Sequence, residues 1–78
     1  MPIYFFDTRT QGHPIEDEGF EFSGIEAAKS EAAKYLIDVA KNHLKPNQPS
    51  QELICTVRDV TKRALVRVRL VLEISPPL

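Results

Sequence analysis

Apolar residues alternate with polar ones at both ends of this chain and recur at steps of three and four in its middle, the signature of strands flanking one amphipathic helix. Ile3-Tyr4-Phe5-Phe6 is a compact strand-forming run, followed by turn residues at Thr10-Gln11-Gly12 and a shorter extended stretch, His13-Pro14-Ile15-Glu16. The two read as a hairpin whose second strand lies at a sheet edge, because Pro14 lacks the N–H of a central ladder. Asp17-Glu18-Gly19 reads as a turn. Phe20 and Phe22, alternating with Glu21, then lead into the helix, and one of them is expected to fold over its start.

Ser23-Gly24-Ile25-Glu26 fits a capping box, with Ser23 accepting from the first turn and Glu26 reaching back to the Ser23 N–H. From there to about Leu44, Ile25, Ala28, Ala32, Leu36, Val39 and His43 form one stripe, flanked by Tyr35, Ala40 and Leu44. Ala27, Ala28, Ala32 and Ala33 allow a close approach to a sheet. Glu26, Lys29, Lys34, Asp38 and Lys41 occupy the other side, with Lys34 and Asp38 spaced for an i,i+4 ion pair. Pro46 and Pro49 mark the exit.

Alternation resumes from Glu52 to Asp59 and from Ala64 to Ile74, giving a second hairpin through Val60-Thr61-Lys62-Arg63. The last strand exceeds its partner in length, so its Leu70–Ile74 end is expected to pair with the first strand. These elements predict an α+β fold, ββαββ, with a four-stranded antiparallel sheet and one amphipathic helix packed on one face. Residues 1–78 read as a single domain, without repeats or low-complexity segments.

A lone helix can cover only one side of a sheet. The helix side is expected to carry Tyr4, Phe6, Leu53, Cys55, Val57, Val66, Val68, Leu70 and Leu72. The other side would carry Asp7 and Thr56 together with Ile3, Phe5, Ile54, Arg58, Leu65, Arg67, Arg69 and Val71. Those last eight residues are the candidate interface, since apolar side chains mixed with arginine match the composition of protein contact surfaces. Arg58, Arg67 and Arg69 are expected to pair with Asp7, Glu52 and Glu73.

At 78 residues, with 42% hydrophobic and 27% charged residues, the chain can bury only about 60–65% of its unfolded surface. A core of that size supplies only about 3–5 kcal/mol, which favours a homodimer. The net charge of −1 conceals an uneven distribution. Residues 1–22 set Asp7, Glu16, Asp17, Glu18 and Glu21 against Arg9 alone. Residues 58–73 set Arg58, Lys62, Arg63, Arg67 and Arg69 against Asp59 and Glu73. Regions of opposite sign can attract within one chain or between two. A nucleic-acid binder would more often be basic as a whole, yet a platform with Phe5 stacked on a base and the arginines on phosphate is the second reading.

Candidate chemistry is sparse. Cys55 lies between Leu53 and Val57 with no base at a recognisable offset and reads as a buried hydrophobe. His13 near the first turn and His43 near the helix end have no partner at zinc spacing. Glu16-Asp17-Glu18 lacks the alternating ligands of a calcium loop and reads as a solvated turn. Gly12, Gly19 and Gly24 form no phosphate-binding pattern. No catalytic, cofactor or metal site is expected, and so no enzyme. The single cysteine and the absence of a signal-peptide pattern or an apolar run near 20 residues point to the cytoplasm rather than a membrane.

Met1-Pro2 before Tyr4-Phe5-Phe6, Asp17-Glu18-Gly19 with Glu21-Phe22, Glu26-Ala27-Ala28 with Glu31-Ala32, and Val57-Arg58-Asp59 with Val66 and Val68 carry a resemblance spanning nearly the whole chain. In these residues it resembles a family of short single-domain bacterial proteins of unknown function, frequent in soil- and plant-associated proteobacteria. That resemblance implies a small cytoplasmic protein with a helix on an antiparallel sheet, and it transfers no catalytic residue. The chain departs from the family in having Thr10-Gln11-Gly12 in place of an Asp-Gly turn and no glycine in Val60–Arg63, which leaves the turn types open. The function expected is a non-enzymatic, homo-oligomeric protein-interaction module; the alternative is a nucleic-acid-binding or antitoxin-like regulatory protein.

Overall fold

The computed structural model describes residues 2–10 and 13–77, with residues 13–18 described by their backbone alone. Its elements are β1 (Ile3–Thr10), β2 (His13–Glu21), α1 (Ile25–His43), β3 (Ser50–Arg58) and β4 (Ala64–Glu73). The strands form one antiparallel sheet in the order β2-β1-β3-β4, so the α+β, ββαββ architecture holds. Both β2 and β3 run antiparallel to β1 and are therefore parallel to each other. No tight turn joins two parallel strands, and α1 is the connection that carries the chain back across β1.

Four sequence expectations are corrected. Asp17-Glu18-Gly19 is no turn: β2 runs unbroken from His13 to Glu21, pairing Asp17 with Asp7 and Gly19 with Phe5. Pro14 does lie on an edge strand. The Gln11-Gly12 portion of the expected first turn falls outside the described residues.

The capping box also does not form. Gly24, in extended backbone, is the residue that caps α1, and no side chain bonds to the cap. Ser23 is thereby displaced one position too early and Glu26 sits at N2 rather than N3, so neither can make the reciprocal bonds. Glu26 pairs with Lys29 at 3.0 Å instead. The expected Lys34–Asp38 pair is likewise replaced, by Lys34–Glu31 at 3.4 Å and Lys41–Asp38 at 3.7 Å.

The fourth correction concerns β4, whose far end pairs with β3 and not with β1. β3 begins at Ser50, two residues before the expected start, and Ser50, Gln51 and Glu52 face Glu73, Leu72 and Val71. β1 is already flanked by β2 and β3, which leaves β4 as the second edge.

Helix α1 lies across β3, β4 and β1. Ala28, Ala32, Leu36 and Val39 are buried along it, the two alanines fully, while Ile25 and His43 at the ends of the stripe are exposed. Small side chains at two successive turns let the helix backbone approach the sheet closely. Tyr4, Phe6, Leu53, Cys55 and Val57 meet it, with Val66, Val68 and Leu70 half-buried around them. Phe22 stacks on Phe6 at 5.7 Å between ring centroids, and Phe20 and Tyr35 lie within 6.1 Å of the same ring. Of the two phenylalanines before α1, Phe22 is half-buried against the core, with its ring on Tyr4 and Phe6.

Among the described residues two polar side chains are buried with this core, Thr8 and Gln51. Gln51 is satisfied: its Oε1 accepts from the Lys45 N–H at 2.7 Å and its Nε2 donates to the Lys45 carbonyl, tying the helix exit to β3. Thr8 is not. Its fully buried hydroxyl makes no hydrogen bond of good geometry, although the Cys55 thiol stands directly opposite and is close enough to feel it. A buried hydroxyl left unpaired costs about 1–3 kcal/mol, and an apolar replacement of similar shape removes that cost. Thr8→Val is therefore expected to raise stability by about 1 kcal/mol, seen as a higher urea midpoint at unchanged slope; a lower midpoint would show that the hydroxyl is bonded.

Candidate interaction surface

Strand alternation sends every second side chain away from α1, and the register of the sheet sets these into rows. Across β1-β3-β4, Phe5, Arg58 and Ala64 form one row, with Gly19 of β2 beside it; Asp7, Thr56 and Arg67 form the next; Arg9, Ile54 and Arg69 the third. Glu52 beside Val71 continues the surface, and Ile3 and Leu65 border it. All eight candidate residues, Ile3, Phe5, Ile54, Arg58, Leu65, Arg67, Arg69 and Val71, thus share the side opposite the helix. Ile3 is 40% exposed, Leu65 40% and Val71 44%; Phe5, Ile54 and Arg58 are half-buried by their neighbours.

The charges on this side are partly matched within the chain. The Asp7 carboxylate, only 13% exposed, sits between Arg9 Nε at 3.3 Å and Arg58 Nη2 at 3.5 Å. Arg69 pairs with Glu52 across β3 and β4. The expected partners of Arg58 and Arg69 are therefore present, but Arg67 and Glu73 form no ion pair among the described residues. Arg9, not anticipated as part of this surface, belongs to it because β1 keeps its alternation past Asp7. A shallow depression of about 310 Å³ lies over Ile54 and Thr56, ringed by Asp7, Arg9, Glu52, Arg58 and Arg67.

Phe5 is not an open platform. Its ring lies over Gly19 so closely that a Cβ there would come within 2.8 Å of it, and Lys62 Nζ sits 5.0 Å from the ring centroid on the β3–β4 turn. Gly19 thus serves as the bare backbone on which an aromatic from the neighbouring strand rests. Neither partnership was legible from spacing, since both cross strands.

Asp59 positions that lysine. Its Oδ1 accepts from the Thr61 hydroxyl at 2.6 Å, the Thr61 N–H at 2.9 Å and the Arg63 N–H at 3.1 Å. The turn holds Lys62 at a φ of 72°, a left-handed conformation that glycine would adopt more readily, in a loop without glycine. The Thr61 hydroxyl bond above all, with the backbone N–H groups of Arg63 and Thr61, lowers the Asp59 pKa from its ordinary value. A carboxylate favoured in this way contributes stability above its unfolded pKa of about 3.9 and loses it as pH falls through the lower folded value. Acid titration of stability should accordingly show a loss below about pH 4 that flattens in Asp59→Asn. An unchanged acid limb would show that the turn does not depend on the ionised carboxylate.

Cys55 lies on the other side of the sheet, fully buried. Burial pushes its thiol pKa up, with the Asp7 charge adding slightly and the Thr8 hydroxyl opposing, so at neutral pH it stays protonated. His43 is exposed at the end of α1, and His13 opens β2. Among the described residues no group of three histidine, cysteine or acidic side chains is placed to hold a metal ion, and no helix is long and apolar enough to cross a membrane.

Neither a curated protein nor a solved structure matches the chain. A family model does match, over residues 3–71, and it takes in all five structural elements up to the last residues of β4. By that match the chain belongs to the family described as a domain of unknown function, DUF6894.

Proposed function

We propose that this protein is a non-enzymatic, self-associating interaction module that uses the outer side of its sheet and the β4 strand bordering it. One observation carries the reading: a single helix covers one side of the sheet, and the other keeps Ile3, Leu65 and Val71 about 40% exposed among ordered rows of arginine and carboxylate. Apolar surface interleaved with partly matched charge is costly to leave in water and suits contact with a surface of the same kind. A second copy meets that requirement, because a two-fold contact sets one patch against itself.

The nucleic-acid reading receives less support. Phe5, the aromatic that would stack on a base, rests on Gly19 beneath Lys62, and two of the three arginines already face Asp7 and Glu52. A mobility-shift assay with single- and double-stranded probes is expected to show no salt-sensitive binding. For self-association the test is Val71→Asp, measured by light scattering on a sizing column. The wild type should elute as a dimer at micromolar concentration and the variant should dissociate at least about tenfold more readily; a wild-type monomer would contradict the proposal.

A further inference from the structure

The two edges of the sheet differ in how they would receive another strand. β2 carries Pro14 and the consecutive acids Glu16, Asp17 and Glu18, features that discourage edge-to-edge pairing. β4 has no proline, and its one irregularity lies where Val57 and Arg58 meet its first residues, which leaves Val66–Glu73 regular. The hydrogen-bond phase of that free edge can be read from the ladder. Ile74 donates to the Pro49 carbonyl at 2.7 Å, so Leu72, Leu70, Val68 and Val66 also point their backbone groups at β3. Arg67, Arg69, Val71 and Glu73 then direct their N–H and C=O groups outward.

We propose that two copies of the chain join through β4, antiparallel about a two-fold axis at Leu70, into one continuous sheet. This deepens, and rests on, the self-association reading above. In this register Arg67 lies opposite the partner's Glu73 and Arg69 opposite the partner's Val71, all with outward backbone groups free to bond. The pairing joins Arg67 and Glu73, the two charged β4 residues that form no ion pair among the described residues. Sliding the register by two residues one way sets Arg69 against the partner's Arg69, a like-charge contact. Sliding it the other way sets Arg69, already held by Glu52, against the partner's Glu73 and leaves Arg67 unmatched. On the helix side the Leu70 register places Leu70 against the partner's Leu70, Val68 against the partner's Leu72, and Val66 against the partner's Ile74. These side chains are half-buried in the single chain and Ile74 is 51% exposed, so each has apolar surface left to cover.

The test is sedimentation velocity on the full chain with Arg67→Glu, Glu73→Arg and the double exchange, all at exposed positions. Each single variant should dissociate at least about tenfold more readily, and the double should recover to within about threefold of wild type. Val71→Pro removes an outward N–H and no bond of the β3–β4 ladder, so it should be monomeric with an unchanged circular dichroism spectrum. Lys41→Ala, exposed on α1 on the opposite side of the molecule from the outer face, is the control that should leave the dimer intact. A dimer that ignores the charge exchange and Val71→Pro would overturn edge pairing while leaving self-association standing. A wild-type monomer would overturn both.

Discussion

Leu53→Ala is expected to lower stability by about 3–5 kcal/mol and to leave much of the chain unfolded at room temperature. Leu53 is fully buried on β3, a central strand that faces α1, and it pairs with Leu70 in the ladder. Truncation removes its methyl groups from the core, and neighbours held by ladder hydrogen bonds on both sides cannot close the cavity. A domain of this size has on the order of 5 kcal/mol in total, so the loss approaches all of it. Urea unfolding followed by circular dichroism measures the effect. Leu53→Met, which keeps the volume, should cost less than about 1.5 kcal/mol. Equal losses for the two variants would mean that the branched shape of leucine matters more than the space it fills.

Gln51→Leu is expected to cost about 2–3 kcal/mol although it adds an apolar side chain to a buried site. The amide of Gln51 bonds both the N–H and the carbonyl of Lys45, and leucine would leave both backbone groups unpaired beside the core. Because that pair of bonds ties the helix exit to the start of β3, the loop from Leu44 to Pro49 should loosen with it. Amide hydrogen exchange at Lys45 should accelerate together with the fall in urea midpoint. A variant as stable as wild type, with Lys45 still protected, would contradict this role for the amide.

The parts of the fold visible in the sequence are those where one side of an element is buried. Leu53, Cys55 and Val57 alternate because α1 lies over β3, and Ala28, Ala32, Leu36 and Val39 repeat because the sheet lies under α1. β2 lies beyond the strands that α1 crosses, so no helix imposes alternation on its acidic middle, and a continuous strand passed for two short extended stretches separated by a turn. The capping box failed for a narrower reason: a one-residue offset separates Ser23 from the position where its oxygen would help, and sequence motifs do not resolve a single residue at a helix end. Gln51 was missed because glutamine in a strand reads as solvent-facing unless its partner, six residues earlier on the helix exit, is known.

The candidate surface was legible as a set of residues, since alternation alone assigns a side. Its internal pairing was not. Arg58 with Asp7, Phe5 over Gly19 and Lys62 over Phe5 depend on which strands are neighbours and on their register, and neither follows from the order of elements along the chain. The order β2-β1-β3-β4 is also what leaves the outer edge of β4 unpaired, and with it the outward backbone groups of Arg67, Arg69, Val71 and Glu73.

Sedimentation equilibrium of the unmodified chain over a wide concentration range tests most directly whether the uncovered side of the sheet and its β4 border bring copies together. Two chains per particle at micromolar concentration, falling reversibly to one on dilution, is the predicted result. One chain per particle throughout the range, with a folded circular dichroism spectrum, would contradict the account.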